Sequence, residues 1–179
     1  MKIQLQGGSS ILCETQSGSL LLFPEPKTKV KEGVRLLHAL PQEGDSNDQI
    51  SWPGEYDFGG VTIRAMGKGE NDQVSYIITA EDMRCGFMSA PLFELTEADT
   101  EVIGDLDVLV VPAGDVKAVQ KLLEEVDPRV IIPVKTGDEK SYRDVLAACG
   151  GKDLEEVKEV KLKKSTLPTE TREVYVLKS

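Results

Sequence analysis

Short β-type runs of apolar residues, some alternating with polar ones and punctuated by glycine and proline, fill the first half of the chain. The pattern then changes to continuous apolar runs separated by segments with helical spacing. Period-two alternation predicts half-buried strands, and short continuous runs bounded by turn residues predict fully buried ones. KIQLQ (2–6) alternates, turns through Gly7-Gly8-Ser9-Ser10 and continues into ILCET (11–15). Ser17-Gly18 predicts a hairpin into SLLLF (19–23), which Pro24 and Pro26 terminate. VRLLHAL (34–40) reads as a buried strand, and PQEGDSNDQ (41–49) as a polar loop. WPGEYDFGG (52–60), with Pro53-Gly54 and Gly59-Gly60, reads as a turn segment. VTIRAM (61–66), VSYIITA (74–80) and MRCGFM (83–88) are the next strand candidates.

Beyond them, LTEADTEVIGDL predicts a short helix capped at Thr96. DVLVVP (107–112) and RVIIPV (129–134) are buried strands. Between them Asp115 caps a helix with apolar residues at 116, 119, 122, 123 and 126. Residues 138–149 form a further helix with Tyr142, Val145, Leu146 and Cys149 inward, stopped by Gly150-Gly151. VKEVKLKK and EVYVLKS are terminal strands. A β-rich half followed by βαβα and a β end implies two sheets with helices outside. At 179 residues the chain is expected to be one domain, 1–179.

Composition narrows the function classes. The net charge is −10, and all of it falls within residues 51–151, which hold 19 acidic and 9 basic side chains. Such a surface repels phosphate backbones, so nucleic acid is not an expected partner. Cys13, Cys85 and Cys149 are an odd number without CxxC spacing, which points to a reducing, cytoplasmic setting without a disulfide framework. No apolar run approaches the about 18 residues of a membrane span, and MKIQLQGG lacks a signal-peptide core.

Several segments, in order, resemble the metallo-β-lactamase superfamily, and most nearly its short prokaryotic metal-dependent-hydrolase-like branch. LQGGSSILCET is similar to that family's opening strand pair, and SLLLFP to the next strand. WPGEYDFGGVTIRAM resembles a P-G-E-Y-containing segment of the branch. IGDLDVLVVPAG followed by VQKLLEEVDPRVIIPV resembles its strand–helix–strand, and LPTETREVYVL its closing strand. The resemblance implies an α/β fold: an αβ/βα sandwich of two mixed sheets with outer helices and a metal site at one edge between the sheets.

It also implies where the ligands would fall. The family's H-x-H-x-D-H signature lies on HALPQE, so His38 keeps the first histidine while Leu40, Gln42 and Glu43 replace the others. Ser89 stands where an aspartate would bridge two metals, and Lys135 where a terminal histidine would be. Gly7-Gly8 replaces the opening Gly-His, and Phe23 replaces the aspartate before Pro24. A further histidine position falls near Met66–Lys68. A hydrolytic zinc site needs about three protein ligands and an open position. No metal, no cofactor and no catalytic residue is therefore expected, and His38, Glu43, Ser89 and Lys135 outline a vestigial pocket. Two readings of Lys135 stay open: its ammonium balances carboxylates such as Glu43 there, or the two are unrelated solvated charges.

The leading expectation is a non-catalytic protein that binds a small molecule or a protein partner, or associates with itself. Three alternatives stay open. One is a hydrolase with an atypical site, for instance a Cys85 nucleophile with His38 as its base. Another is a purely structural subunit of an oligomer. The third is a hard-cation site on Asp45, Asp48 and Glu55.

Overall fold

The computed structural model describes residues 1–43, 48–68 and 73–178. In chain order its elements are β1 Lys2–Leu5, β2 Ile11–Thr15, β3 Gly18–Leu22, β4 Val34–Leu37, β5 Gln49–Ile50, β6 Gly54–Phe58, β7 Val61–Lys68, β8 Gln73–Ala80 and β9 Met83–Phe87. They continue with α1 Glu97–Ile103, β10 Val108–Pro112, α2 Val116–Val126, β11 Val130–Val134, α3 Glu139–Cys149, β12 Glu156–Val157, β13 Val160–Lys161, β14 Glu173–Val174 and β15 Val176–Leu177. Among the described residues the strands build two large sheets, in the orders β13-β1-β2-β3-β4-β5 and β14-β11-β10-β9-β8-β7-β6, with β12 and β15 forming a small pair.

Both large sheets are mixed. β1, β2 and β3 are antiparallel, while β3, β4 and β5 run parallel. In the second sheet β6 to β9 form an antiparallel meander, and β9, β10, β11 and β14 run parallel. The tight β8–β9 hairpin places Glu81 and Asp82 at φ 54° and 60°. That is the left-handed pair which matches a two-residue hairpin to the strand twist.

Period-two alternation sends successive side chains of the second sheet to two different cores. Ile78, Cys85, Val108, Val110 and Ile132 point between the sheets, where they meet Ile3, Cys13, Leu20, Leu22 and Leu37 of the first sheet. Ile77, Leu109, Val111 and Ile131 point the other way, onto Ile103 of α1, Val119, Leu122 and Leu123 of α2, and Tyr142 and Val145 of α3. Caps set the helix starts: Thr96 and Asp99 form a reciprocal box at α1, Asp115 accepts from Lys117 N and Ala118 N at α2, and Asp138 accepts from Ser141 N at α3. Two mixed sheets with outer helices are the architecture that the sequence predicts.

One local expectation is corrected. GEYDF is a strand, not a turn. β6 pairs with β7 in the register Gly54↔Ala65 to Phe58↔Val61. Tyr56 and Phe58 alternate with Glu55 and Asp57 and pack on the inter-sheet core. That alternation outweighs the flanking proline and glycine signals. Pro53 lies just before the strand, and Gly59-Gly60 (φ 60° and 93°) supply the turn into β7.

Candidate functional site

Strands β3, β4, β9, β10 and β11 all end at one edge of the sandwich. In open α/β sheets the crevice beyond the carboxyl ends of the strands is where ligands bind. A cavity of about 290 Å³ lies here. Phe23 and Pro24 follow β3, and His38, Ala39 and Leu40 follow β4. Met88 follows β9, while Val110, Val111 and Pro112 come from β10 and Val134 from β11. Ser9 and Ile11 enter from the start of β2. Gln42, Ala90 and Thr136 complete the lining. No Asp, Glu, Lys or Arg is among these residues.

His38 is held by its backbone. Its N–H donates to Ile50 O at 2.9 Å, as the chain leaves β4 beside β5. Its carbonyl accepts from the Tyr76 hydroxyl at 2.7 Å, and the same hydroxyl lies 2.8 Å from Ile50 O. One residue on, Ala39 O accepts from Val74 N of β8 at 2.8 Å. These bonds fasten the end of the first sheet to the second. The imidazole borders the cavity, and its Nε2 is screened from solvent with no hydrogen-bond partner. Burial holds the His38 pKa below its ordinary value, so the ring is neutral at pH 7.

Phe23 has φ 54°, a conformation that costs an aromatic residue about 1–2 kcal/mol. Its N–H donates to Leu37 O at 2.7 Å, and its ring meets Tyr76 with centroids 6.0 Å apart. The buried Ser10 hydroxyl bonds Phe23 O and receives Glu25 N at 3.0 Å. The strained residue is therefore tied on both sides, and the tie aims its ring at the cavity wall.

The other residues expected at the site are dispersed around it. Ser89 is buried in a polar cluster, 2.8 Å from Gln73 Nε2 and 3.1 Å from Ser75 Oγ, and does not line the cavity. Lys135 is exposed and bonds Glu139, the first residue of α3, at 2.7 Å, and Arg143 also contacts that carboxylate. Glu43 is exposed and lies outside the lining, and Lys135 pairs with Glu139 rather than with it, so Glu43 and Lys135 are unrelated charges. Cys85 points into the inter-sheet core with Sγ 3.5 Å from Met1 Sδ, and burial pushes its thiol far up. A Cys85–His38 nucleophile pair is likewise not assembled. Leu40 and Gln42 do reach the cavity, and the Gln42 amide donates to Leu40 O at 2.9 Å.

The alternative cation site fares no better. Glu55 bonds Arg64, Asp48 approaches Arg35 at 4.0 Å, and Asp45 lies outside the described residues. Among the described residues no group of three or more His, Cys, Asp or Glu side chains converges on a point where a metal could sit. With one imidazole and apolar walls at the cavity, the described residues do not supply the about three ligands that a zinc site needs.

Sequence reasoning singled out Phe23 but not its left-handed backbone, and it missed Tyr76, Ala39 and Thr136. Tyr76 carried one signal, its inward register in β8. The carbonyls that its hydroxyl reaches depend on packing between the sheets, which no local pattern encodes.

Residues 26–135 match the Beta-lactamase superfamily domain. The chain belongs to the β-lactamase superfamily. Its fold is similar to a putative Zn-dependent hydrolase of the metallo-β-lactamase superfamily from Thermotoga maritima, with TM-score 0.76 and 19% identity over 98% of this chain and 97% of that one. A putative metal-dependent hydrolase from Parabacteroides distasonis gives TM-score 0.61 and 14% identity over 97% and 91%. An isothiocyanate hydrolase from Delia radicum gut bacteria gives 0.60 and 10% over 91% and 100%. At these identities the likeness is one of fold. No curated protein matches the sequence significantly. Among the described residues no helix is long and apolar enough to cross a membrane.

Proposed function

We propose that this chain is a non-catalytic member of the superfamily, a single domain that uses the cavity at the strand ends to bind a ligand or partner. The observation that carries the reading is the lining itself. Where hydrolytic relatives of this fold are built around a metal, this chain places Leu40, Gln42 and Phe23 beside one neutral imidazole. A metal-activated water needs about three ligands around an open position, and a general base needs an orienting partner. Among the described residues, no carboxylate lines the cavity to orient the His38 imidazole. The buried, unbridged Cys13 and Cys85 suit a reducing cytoplasm.

The deciding experiment is elemental mass spectrometry on untagged protein, expressed with added zinc and manganese and purified without chelator. The same protein is then assayed on phosphodiester, thioester and lactam substrates. Metal below about a tenth of an equivalent, with no turnover, is expected, since a site of three or more ligands retains its ion. Stoichiometric metal, or turnover abolished by His38→Ala, would replace this reading with an atypical hydrolase.

A further inference from the structure

The cavity's chemistry is more specific than a generic binding site. Its side walls are Ile11, Phe23, Met88, Val110 and Val134. Among the described residues, the one ionisable side chain in its lining is His38, whose ring burial keeps neutral. Lys135, adjacent in sequence to the rim residue Thr136, is turned away to Glu139. A carboxylate or phosphate group would leave water here without meeting an opposite charge among the described lining residues, and an unpaired buried charge is among the costliest changes a site can impose. Among the described residues, the polar side chains of the lining are Gln42 and Thr136 at the exposed mouth, Ser9, whose hydroxyl donates to Glu25, and His38, whose Nε2 has no hydrogen-bond partner. Size narrows the choice further. A dry cavity of about 150 Å³ takes benzene, and this one measures about 290 Å³.

We infer that the cavity takes an uncharged, largely apolar molecule about the size of a fused two-ring aromatic, with at most one small polar group directed to the mouth. The inference rests on the binding reading given above and names the ligand class for that site. Such a preference is opposite to that of a metal centre, which attracts anions.

The test titrates 2-naphthol and its anionic isostere 2-naphthoate into the purified protein at pH 7 by calorimetry, with and without prior chelator treatment. One equivalent of 2-naphthol is expected to bind, and 2-naphthoate at least about tenfold more weakly, because its charge enters unpaired. Ala39→Phe, which fills the cavity, should weaken 2-naphthol by about tenfold or more. Thr136→Trp, at the exposed rim, gives the same test should Ala39→Phe not fold. Equal or reversed preference, no binding of 2-naphthol up to its solubility limit, or binding unmoved by the rim variant would overturn the inference. A reversed preference that chelator abolishes would overturn the non-catalytic reading as well. The same reversal without chelator sensitivity would overturn only the ligand class.

Discussion

The Tyr76 hydroxyl lies 2.7 Å from the carbonyl oxygen of His38, and that one contact joins β8 of the second sheet to the end of β4 in the first. Ile50 O, 2.8 Å from the same Tyr76 hydroxyl, brings the end of β5 into the joint. The phenol is fully buried, and burial pushes its pKa far up, so it stays protonated and remains a donor. Tyr76→Phe keeps the ring against Phe23 but leaves two carbonyls without this donor. Removing one partner of a buried hydrogen bond costs about 1–3 kcal/mol. Urea unfolding of Tyr76→Phe should show a loss in that range. Affinity for a cavity ligand should fall too, because the floor residues His38 and Ala39 lose their anchor. An unchanged midpoint would show that the sheets are joined by other contacts.

Phe23 supplies a second prediction, in which an ordinary ranking reverses. Gly is usually worse than Ala by roughly 0.5–1 kcal/mol, because it loses more chain entropy on folding. At φ 54° the Cβ of alanine is strained and glycine is not. Phe23→Ala and Phe23→Gly lose the same ring contact with Tyr76, so their difference isolates the backbone. Phe23→Gly should be the more stable of the two, by about 1 kcal/mol in urea unfolding. Alanine equal to glycine, or better, would mean that the loop relaxes out of the left-handed region once the ring is gone.

The three thiols should separate by reactivity. Burial pushes Cys13 up to about 12 and Cys85 well above its usual value, and raises Cys149. Thiolate is the reacting form. Native protein treated with iodoacetamide at pH 8 should therefore leave Cys13 and Cys85 unmodified, while the half-buried Cys149 reacts slowly. Peptide mass mapping after unfolding in urea should find all three modified. Native labelling of Cys85 would reopen a nucleophilic role for it.

The layout of this fold was legible where hydrophobic period and burial agree. DVLVVP and RVIIPV are continuous apolar runs because β10 and β11 are covered on both faces, by the first sheet and by the helices. Asp115 and Asp138 announced their helices because capping is a contact within three residues. GEYDF was obscured because its strand is framed by the Pro-Gly and Gly-Gly pairs that also mark turns. That Phe23, His38, Leu40 and Gln42 gather at one edge could be read from sequence order, since they follow strand ends. Side-chain direction could not. Ser89 and Lys135 sit at the ends of β9 and β11, yet one turns to Ser75 and Gln73 and the other to Glu139. Those choices are settled by partners distant in sequence or exposed to solvent.

His38 sets the pH dependence of the site. Burial lowers its pKa in the folded chain, while the unfolded chain titrates near about 6.5. As pH falls through that value the unfolded state takes up its proton first. It then binds more protons than the folded state, so stability declines with falling pH. The decline begins near pH 6.5 and ends below the depressed folded value, where both states are protonated. His38→Gln cannot titrate, so its stability relative to wild type should rise as pH drops from 7 to 5. The measurement is a pair of urea unfolding series across that range, compared as differences so that shared carboxylates cancel. A difference that stays flat would mean that the imidazole reaches water or a counter-charge in the folded chain. The cavity would then carry a positive charge in acid, and its preference for uncharged ligands would weaken along with the stability argument.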